Sequence, residues 1–497
     1  MLRNSFIERD AWKWSGKGVF LRSATRFAAI SMSDEIYSKS LKLHEFYHGK
    51  IEIVPRVPVT KFEYFSYWYT PGVAEPCRAI HRDPDKVFEL TNRWNTVAVI
   101  SDGTRVLGLG NIGPEAALPV MEGKALLFKY LGGVDAIPLV VRERDPDKLI
   151  YVVKALEPSF GGVNLEDIES PKCFYLLEKL REILDIPVWH DDQQGTALVT
   201  LAGLINALKL VGKKLSDIRV AVIGAGAAGI AIVKYLIAAG VKPGNIFVVD
   251  SKGILHPDRE DLKKPDPWLK WKREIAEITN AERRVGGIPE AMKGTDVVIG
   301  VSRPGPGVIK KEWIKLMNDD PIVFAEANPV PEIWPWEAKE AGTKIVATGR
   351  SDFPNQINNS LGFPAVFRGA LTVRARKITD EMCIATAYAL ASYAEEKGLR
   401  EDYIILTMEE TEAYVREAIA VAEKAMEQGV ARRKISRNEL ENEIRELIER
   451  PKKYMKIALD TCTKYWLRQG MGFQQANDLC MKKCTERHCI CIDEEGG

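Results

Sequence analysis

Compact apolar runs alternate with helix-like stretches along the first half of the chain. The runs at Val97–Ile100, Ala136–Val141 and Leu149–Val153 have the composition of strands that are buried on both faces. Ser170–Leu184 carries apolar residues at helical spacing, and Thr196–Val211 is almost entirely apolar. We therefore expect three strands followed by two helices, the second of which is buried.

The second half of the chain repeats this alternation more regularly. Helical stretches separate most of its apolar runs, which favours a parallel sheet with right-handed crossovers and an α/β fold class. The strands predicted here are Arg219–Ile223, Ile246–Asp250, Asp296–Ile299, Ile322–Ala325 and Lys344–Ala347.

Beyond Thr379 the pattern becomes helical. One predicted helix carries four apolar residues on a single face, namely Tyr414, Ala418, Val421 and Ala425. Gly429 is placed to end that helix. Ser436 and Glu439 form a capping box for the charged helix that follows.

Composition and charge narrow the function classes. The chain has 497 residues, 46 % hydrophobic and 28 % charged, as in a soluble folded protein of two or three domains. Its 70 basic and 69 acidic side chains nearly cancel, which argues against a general nucleic-acid binder. The longest apolar runs contain Gly or polar residues and are too short to span a bilayer. The scattered thiols of Cys77, Cys173 and Cys383 fit a reducing compartment, so we expect a cytoplasmic protein.

The two ends of the chain differ from its body. Residues 1–31 carry arginines among aromatics without the apolar core of a secretory signal, and we interpret them as an extended or mis-assigned N-terminus. Four thiols and one imidazole crowd the other end, at Cys480, Cys484, His488, Cys489 and Cys491. They could ligate Zn²⁺, but their spacing differs from paired CxxC motifs and favours a disordered appendage with reactive thiols.

A glycine-rich turn joins the strand at Arg219–Ile223 to an apolar helix. The turn has GxGxxG spacing and consists of Gly224, Ala225, Gly226, Ala227, Ala228 and Gly229. Such glycines let the backbone approach a pyrophosphate, whose charge the helix N-terminus favours. Asp250 ends the next strand, where an acid accepts a hydrogen bond from a ribose 2′-hydroxyl. Both flanks and the acid together favour a dinucleotide site over simple close packing.

The identity of the dinucleotide stays open. Asp250 should repel the 2′-phosphate of NADP, whereas Lys252, in the same Asp250-Ser251-Lys252 turn, could neutralise it. We therefore expect NAD or NADP to be accepted.

Two acidic pairs lie on separate loops. Glu166 and Asp167 follow a glycine-bearing segment, and Asp191 and Asp192 precede the buried helix. Oxygen ligands of this kind suit Mg²⁺ or Mn²⁺. Spacing alone favours helix-capping acids. The apolar residues before Asp191 shift the balance toward a partly buried, paired site.

Five further polar residues stand out from their surroundings. They are Tyr69 in a turn, Arg105 before an apolar segment, Lys124 within an apolar region, Asn328 after a strand and Asn359 in a loop. A desolvated lysine near a cation has a lowered pKa and can act as a general base, although a surface lysine is the commoner case. Asparagines at the carboxyl ends of parallel strands can bind ligands, but they also form ordinary turns.

Six longer motifs contain or adjoin these residues. They are Tyr-Thr-Pro-Gly-Val-Ala-Glu-Pro (69–76), Leu-Gly-Leu-Gly-Asn-Ile-Gly (107–113), Pro-Val-Met-Glu-Gly-Lys (119–124), Phe-Gly-Gly-Val-Asn-Leu-Glu-Asp (160–167), His-Asp-Asp-Gln-Gln-Gly-Thr-Ala (190–197) and Ser-Asp-Phe-Pro-Asn-Gln-Ile-Asn-Asn (351–359). Together they resemble the malic enzymes, particularly the compact prokaryotic type, over about residues 45–430.

The resemblance implies a reaction and a role for each residue. Malate and NAD(P)⁺ would give pyruvate, CO₂ and NAD(P)H, with Lys124 as general base and Tyr69 as general acid. Asp191 would support Lys124 or the metal. The implied metal ligands are Glu166, Asp167 and Asp192, and the implied malate-binding residues are Arg105, Asn328 and Asn359, with Asn328 also at the cofactor. Gln194 departs from the family pattern, since many relatives have His there, and we expect at most a kinetic effect.

The resemblance also implies two α/β domains with the site in the cleft between them. A Rossmann-type doubly wound parallel sheet would occupy 191–358. A smaller α/β domain at 45–190 would be completed by the helical region at 359–450. Outside the resemblance, we expect residues 1–44 to comprise an N-terminal extension and the first helix, and 451–497 to form a cysteine-rich tail. The Tyr69 segment could come from a neighbouring subunit of a homodimer or higher homo-oligomer.

Two alternative functions remain open. A malolactic-type enzyme, which keeps its cofactor bound and releases lactate, would share every residue named, so only product analysis separates the two. A non-catalytic NAD-sensing or assembly protein is disfavoured by the intact Tyr69, Lys124 and carboxylates.

Overall fold

The computed structural model describes residues 36–45 and 47–476. Two sheets built mainly from parallel strands form its framework, and a helical region follows the second sheet. The α/β fold class predicted from the sequence is therefore confirmed. The interpretations given for residues 1–31 and for the thiols at 480–491 lie outside the described residues.

The first sheet is entirely parallel and has the strand order β2-β1-β3-β4. Its strands are β1 (Thr96–Ser101), β2 (Asp135–Val140), β3 (Gly162–Leu165) and β4 (Val188–His190). The central strand β1 is buried over five of its six residues. Burial on both faces explains why β1 is a continuous apolar run rather than an alternating one.

The second sheet has six strands in the order β10-β9-β8-β5-β6-β7, and only the edge strand β7 is antiparallel. Its strands are β5 (Val220–Ile223), β6 (Ile246–Asp250), β7 (Gly253–Ile254), β8 (Val297–Gly300), β9 (Ile322–Ala325) and β10 (Ile345–Thr348). The strand order reverses at β5, so the carboxyl ends of β5 and β8 lie at a topological switch point, where open α/β sheets bind ligands. All five strands predicted in this region are present.

Helices connect the strands and cover the sheets. Those before the second sheet are α1 (36–45), α2 (Phe65–Trp68), α3 (Ala74–Arg82), α4 (Val87–Leu90), α5 (Pro114–Gly132), α6 (Pro146–Leu156), α7 (Lys172–Ile183) and α8 (Thr196–Val211). Those within it are α9 (Ala227–Ala238), α10 (Lys270–Ile278), α11 (Ile288–Met292), α12 (Lys311–Ile314) and α13 (Pro335–Glu340). The helical region comprises α14 (Phe363–Thr372), α15 (Asp380–Glu396), α16 (Thr411–Glu427) and α17 (Arg437–Arg468).

The C-terminal helices follow the sequence pattern closely. The four predicted apolar residues of α16 are all buried, and Gly429, with a φ of +71°, lies just beyond the helix. At the start of α17 the Ser436 hydroxyl lies 2.7 Å from the Glu439 carboxylate, which also accepts the Ser436 N–H. The predicted capping box is confirmed.

Helix α8 is the buried helix predicted from composition. Together with the turn before it, α8 forms the segment Asp191–Val211, which by length and composition alone could cross a membrane. However, 78 % of its most apolar window is buried inside the fold, where α8 packs on α9 and α15. It is a core helix of this fold.

Two expectations for the first sheet were wrong. Leu149–Val153 is not a strand but part of α6, because Asp145 caps the N-terminus by accepting the N–H groups of Asp147 and Lys148. Leu149 and Val153 then lie one helical turn apart and are both buried. Conversely, the glycine-bearing segment at 160–167, expected as a loop, contains the short buried strand β3.

Candidate active site

Lys124 lies on α5 and points into a buried cluster of carboxylates. Only 8 % of its side chain is exposed, and its Nζ lies 2.5 Å from Oδ2 of Asp191 and 3.0 Å from Oε1 of Glu166. The ring of Phe363, at the start of α14, covers the ammonium group at 4.2 Å. Lys124 is thus desolvated and fully paired, unlike a surface lysine.

The expected lowering of the Lys124 pKa is not found in this arrangement. Burial by itself would lower the pKa, but the adjacent Asp191 and Glu166 carboxylates raise it above its ordinary value. The ammonium form of Lys124 is therefore favoured as long as Asp191 and Glu166 carry negative charge beside it.

The carboxylates of Glu166, Asp167 and Asp192 converge on one point. One oxygen from each lies within 4.8 Å of the others, although the residues come from two separate loops. Glu166 and Asp167 follow β3 directly, and Asp192 lies in the turn after β4. Since β3 and β4 are neighbouring parallel strands, their carboxyl ends bring the two acidic pairs together.

The backbone of Asp167 is held in an unusual conformation. Its φ is +53°, in the left-handed region. Its N–H donates to Asp192, its carbonyl accepts from the Arg105 N–H, and its Oδ1 accepts from the Leu107 N–H. Its Oδ2 is buried and has no hydrogen-bond partner within the described part of the chain. The fold therefore aims one unpaired carboxylate oxygen into the cluster.

Asp191 and Asp192 lie on a π-helical turn, Asp191–Gly195, between β4 and α8. In this turn Asp191 accepts a hydrogen bond of 2.9 Å from the indole N–H of Trp189 as well as from Lys124. A Cβ on Gly195 would lie 2.1 Å from Oδ1 of Asp191. Glycine is thus required for Asp191 to approach the turn, and π-helical turns of this kind are frequent at functional sites.

The cluster carries more negative charge than Lys124 can balance. Burial, followed by the charges of neighbouring acids, raises the pKa of Glu166 and raises that of Asp167 to about 8. The pKa of Asp192 is also raised, again mainly by burial. Three carboxylates, of which Glu166 and Asp167 are buried and Asp192 is half-buried, with one unpaired oxygen among them, form a donor set that fits a hard divalent cation such as Mg²⁺ or Mn²⁺.

The candidate malate-binding residues border this cluster. Arg105 is exposed, and its backbone N–H donates to the Asp167 carbonyl oxygen. Its positive charge acts to lower the pKa of Asp192. The Cβ of Asn359 lies 3.1 Å from the position that a Cβ on Gly195 would take. These residues have charged or polar groups suited to carboxylates.

Asn328 approaches the site from the second sheet. It follows β9, and its carbonyl oxygen lies 2.8 Å from the position that a Cβ on Gly108 would take. Gly108 belongs to the loop that also carries Arg105. The second sheet and the first thus meet at these two loops.

Tyr69 is not part of this cluster within the chain. Its side chain is 71 % exposed and forms no hydrogen bond within the described residues. It lies just after α2 in an aromatic segment most of whose side chains are also exposed, including Phe62 at 90 % and Tyr67 at 67 %.

The GxGxxG turn has the geometry of a dinucleotide site. Gly224 has a φ of +126°, and a Cβ on Gly229 would lie 1.8 Å from the Gly224 carbonyl oxygen, so both glycines are needed for the strand-to-helix turn. Nothing lies within 4 Å of the Cβ position of Gly226, so this glycine leaves open space at the N-terminus of α9. Ala227 and Ala228, half-buried, open that helix. Open space at a helix N-terminus suits a pyrophosphate.

Asp250 at the end of β6 is held by two basic residues that sequence reasoning missed. Arg259 contacts both of its oxygens at 2.9 and 3.2 Å, and Lys272 contacts one at 2.8 Å. Burial alone would raise the pKa of Asp250, but these bonds lower it. The ammonium of Lys252 bonds to Asp261 at 3.0 Å instead, and Ser251 is exposed beside it.

Some of the missed residues left a trace in the sequence and others did not. Trp189 lies two positions before Asp191 in an apolar strand, so strand alternation could have placed its side chain near that carboxylate. Arg259 lies in the loop after β7 and Lys272 in α10, and no pattern in the sequence connects either of them to Asp250.

Two family models match the chain. The model of the malic enzyme N-terminal domain matches residues 48–145 and 141–181, and the model of the malic enzyme NAD-binding domain matches residues 193–426. The match boundaries place the metal-ligand candidates Glu166 and Asp167 in the first and the glycine-rich turn in the second.

Curated relatives and solved structures agree with these matches. The bifunctional malic/malolactic enzyme of Bacillus subtilis is 51 % identical, over 82 % of this chain and 98 % of that protein. The NAD-dependent malic enzyme of Geobacillus stearothermophilus is 53 % identical, over 78 % of each chain. The crystal structure of Pyrococcus horikoshii malic enzyme is 58 % identical, covers 83 % of this chain and 96 % of that one, and has a TM-score of 0.79. That of Entamoeba histolytica malic enzyme is 46 % identical, covers 92 % and 94 %, and has a TM-score of 0.86.

Proposed function

Because this chain belongs to the malic enzyme family, we propose that it oxidises and decarboxylates L-malate to pyruvate and CO₂ while reducing NAD⁺ or NADP⁺. The observation that carries the proposal is the lysine–carboxylate cluster of the buried Lys124, Asp191, Glu166 and Asp167 with the half-buried Asp192. A basic group beside a candidate divalent-cation site is what oxidation of a 2-hydroxy acid requires.

Lys124 would remove the proton of the C2 hydroxyl as hydride leaves C2. Asp191 accepts hydrogen bonds from both Lys124 and Trp189, so it would fix the direction in which the ammonium or amine group points. The low exposure of Lys124 would exclude bulk water from the proton that is transferred.

Glu166, Asp167 and Asp192 would hold the divalent cation, because their oxygens converge and Asp167 Oδ2 has no other partner in the described structure. When bound, the cation would polarise the C2 oxygen and reduce the negative charge that keeps Lys124 protonated, while the nicotinamide would accept the hydride. Arg105, Asn328 and Asn359 would bind the two carboxylates of malate and orient C2 toward Lys124.

Tyr69 would protonate C3 after CO₂ has left C4. Its 71 % exposure and its exposed aromatic neighbours support a site completed by a second subunit, in which the Tyr69 of one protomer reaches the cluster of the other. A homodimer would bury these aromatics, since monomers rarely expose so large an apolar surface.

The cofactor preference would depend on the basic residues around Asp250. Because Arg259 and Lys272 already neutralise its carboxylate, the repulsion between Asp250 and a 2′-phosphate would be weaker than the sequence alone implies. We therefore propose that both cofactors are accepted, with Gly224, Gly226 and Gly229 at the pyrophosphate. Relatives described as NAD-dependent and as NADP-dependent malic enzymes both match the chain.

A malolactic reaction is the second candidate, and a specific observation supports it. The Bacillus subtilis relative is named a bifunctional malic/malolactic enzyme and aligns over 98 % of its length. In that reaction the reduced cofactor would return its hydride to pyruvate before release, and lactate would be the product.

The test is a product assay with purified protein, L-malate and Mn²⁺, run separately with NAD⁺ and NADP⁺. Cofactor reduction with an equal amount of pyruvate supports the malic reaction, and lactate without net reduction supports the malolactic one. Lys124→Ala should abolish both, whereas Lys154→Ala, an exposed lysine on α6, should not change the rate. Equal activity of Lys124→Ala and the wild type would contradict the proposed base.

A further inference from the structure

Another buried acid, Glu326, is not one of the metal-ligand candidates and has no counter-charge among the described residues. Glu326 follows β9 directly and is 7 % exposed. No ion pair involves it within the described residues. Both of its carboxyl oxygens lie 2.9 Å from Oγ1 of Thr200, which is itself fully buried on α8.

The hydroxyl of Thr200 cannot satisfy all the oxygens around it. Its Oγ1 also lies 2.7 Å from the carbonyl oxygen of Thr196, one turn earlier in α8. A carbonyl can only accept, and a hydroxyl has one hydrogen to donate. Of the three oxygens around it, the Thr196 carbonyl lies nearest to the hydroxyl, at 2.7 Å against 2.9 Å for each Glu326 oxygen. With the hydrogen of Thr200 in that shortest bond, the contact with Glu326 is attractive only if the carboxyl group carries a proton and donates it to Oγ1.

The burial of Glu326 and its charged neighbour favour the same state. The charged group acting on it is Glu332, a second buried acid in the loop after β9, so it repels a negative charge on Glu326. Burial raises the pKa of Glu332 as well, but Glu332 has the better site for a charge, since it accepts the N–H groups of Ser302 and Ala327 at 2.9 and 3.1 Å. Burial above all, with a smaller contribution from Glu332, raises the pKa of Glu326 well above its ordinary value, although the hydrogen bond with Thr200 acts in the opposite direction. Two adjacent acids in unequal surroundings separate into one charged and one neutral group.

We propose that Glu326 is a protonated carboxylic acid at neutral pH and acts as a positioning residue. Its O–H donates to Thr200 Oγ1 and thereby ties the start of α8 to the strand end that leads to Asn328.

The link joins the two halves of the candidate active site. Thr196, the partner of Thr200, is the residue that follows the π-helical turn with Asp191 and Asp192. Asn328 lies two residues beyond Glu326, and its side-chain nitrogen is 2.7 Å from the Cβ position of Gly349. Loss of the Glu326 proton would replace an attraction by a repulsion at this junction, so the cation loop and Asn328 would lose their relative position.

Infrared difference spectroscopy tests the protonation without any assay of activity. The purified full-length protein at pH 7, compared with Glu326→Gln, should show the C=O stretch of a protonated carboxyl group that the variant lacks. The matched control is Glu423→Gln, which replaces a charged glutamate that pairs with Arg437. Its difference spectrum against the wild type should show only carboxylate bands. If Glu326→Gln removes carboxylate bands instead, Glu326 is ionised and the proposal is wrong.

Kinetics test the positioning role, and this arm alone rests on the proposed malate oxidation. Glu326→Gln keeps a donor toward Thr200 and should leave the KM for malate within about twofold, whereas Glu326→Met lacks a donor and should raise it about fivefold to tenfold with kcat little changed. The wild-type KM should also rise in alkaline solution, and that rise should be absent in Glu326→Gln. Similar KM values for the Gln and Met variants would overturn the positioning role. Loss of all turnover in the wild type would instead contradict the proposed function and leave the infrared result standing.

Discussion

At the scale of single residues, Glu417 is an acid whose surroundings do not stabilise its charged form. It lies on α16 with no exposed surface, and neither of its carboxyl oxygens has a hydrogen-bond partner among the described residues. Burial raises the pKa of Glu417 well above its ordinary value. The folded state therefore binds a proton that the unfolded state releases near pH 4.3, an approximate reference value for glutamate.

This proton gives a pH-dependent stability with a definite sign. Because the pKa of Glu417 is higher in the folded state, the destabilisation that Glu417 causes is absent below the unfolded pKa. It grows by about 1.4 kcal/mol per pH unit as the pH rises toward the folded pKa. Glu417→Met should therefore stabilise the protein, and more at pH 8 than at pH 5. Urea unfolding at both pH values measures this, with the exposed Glu427→Met as control. A stabilisation that is equal at the two pH values would contradict the argument.

The carboxylates of Glu166, Asp167 and Asp192 make a second prediction at this scale. A cation bound by the folded state alone stabilises it by about 2.7 kcal/mol at a hundred times its Kd. Mn²⁺ should therefore raise the Tm of the wild type. Asp192→Asn should raise the Tm without metal, because the charge of Asp192 acts repulsively on the buried Glu166 and Asp167, and should abolish the shift caused by Mn²⁺.

The control for this comparison is Asp217→Asn. It removes the same charge from an aspartate whose side chain is exposed. It should retain the full Mn²⁺ shift in differential scanning fluorimetry. A shift that survives in Asp192→Asn would mean that the cation binds elsewhere.

At the scale of elements, the π-helical turn Asp191–Gly195 depends on the missing side chain of Gly195. A Cβ there would lie 2.1 Å from the Asp191 carboxylate, so Gly195→Ala should push Asp191 away from Lys124 and Trp189. We expect kcat to fall by about 10²-fold or more while the protein stays folded, since small misplacements of this size have such effects. Steady-state kinetics and circular dichroism measure the two quantities. Gly123→Ala, whose Cβ meets nothing within 4 Å on α5, should leave kcat unchanged.

The sequence predicts those elements whose local pattern and tertiary burial agree. The bounds of β6 and β9 match the predicted runs, because β9 and all of β6 before Asp250 are apolar and buried on both faces. Leu149–Val153 has a similar composition, but the cap formed by Asp145 makes it helical. The π-helical turn was not predicted, because it is stabilised by contacts of Asp191 with Lys124 on another helix, which no local pattern encodes.

The same limit applies to the candidate site. The acidic pairs could be identified from the sequence because the parallel-strand topology brings loop ends together. The partners of Asp250 could not, since Lys272 reaches it from a helix of unrelated pattern. Whether a lysine is buried likewise depends on the whole fold, and Lys124 was distinguished from other lysines by its apolar neighbours alone.

At the scale of the whole molecule, the exposed Tyr69 makes a prediction about how two chains combine. If Tyr69 acts across a dimer interface, a mixed dimer of Tyr69→Phe and Lys124→Ala chains has one intact site and one site with both changes. Purification through both tags selects the mixed dimers, in which one of the two sites is intact, so about half of the wild-type activity per dimer should return. If Tyr69 acts within its own chain, every site carries one lesion and no activity returns. The two variants should be coexpressed with different tags, purified through both, and assayed for pyruvate with malate and Mn²⁺. A single-tag preparation of each variant gives the baseline, and recovered activity that disappears on dilution to monomers would identify the second chain as the source of the missing acid.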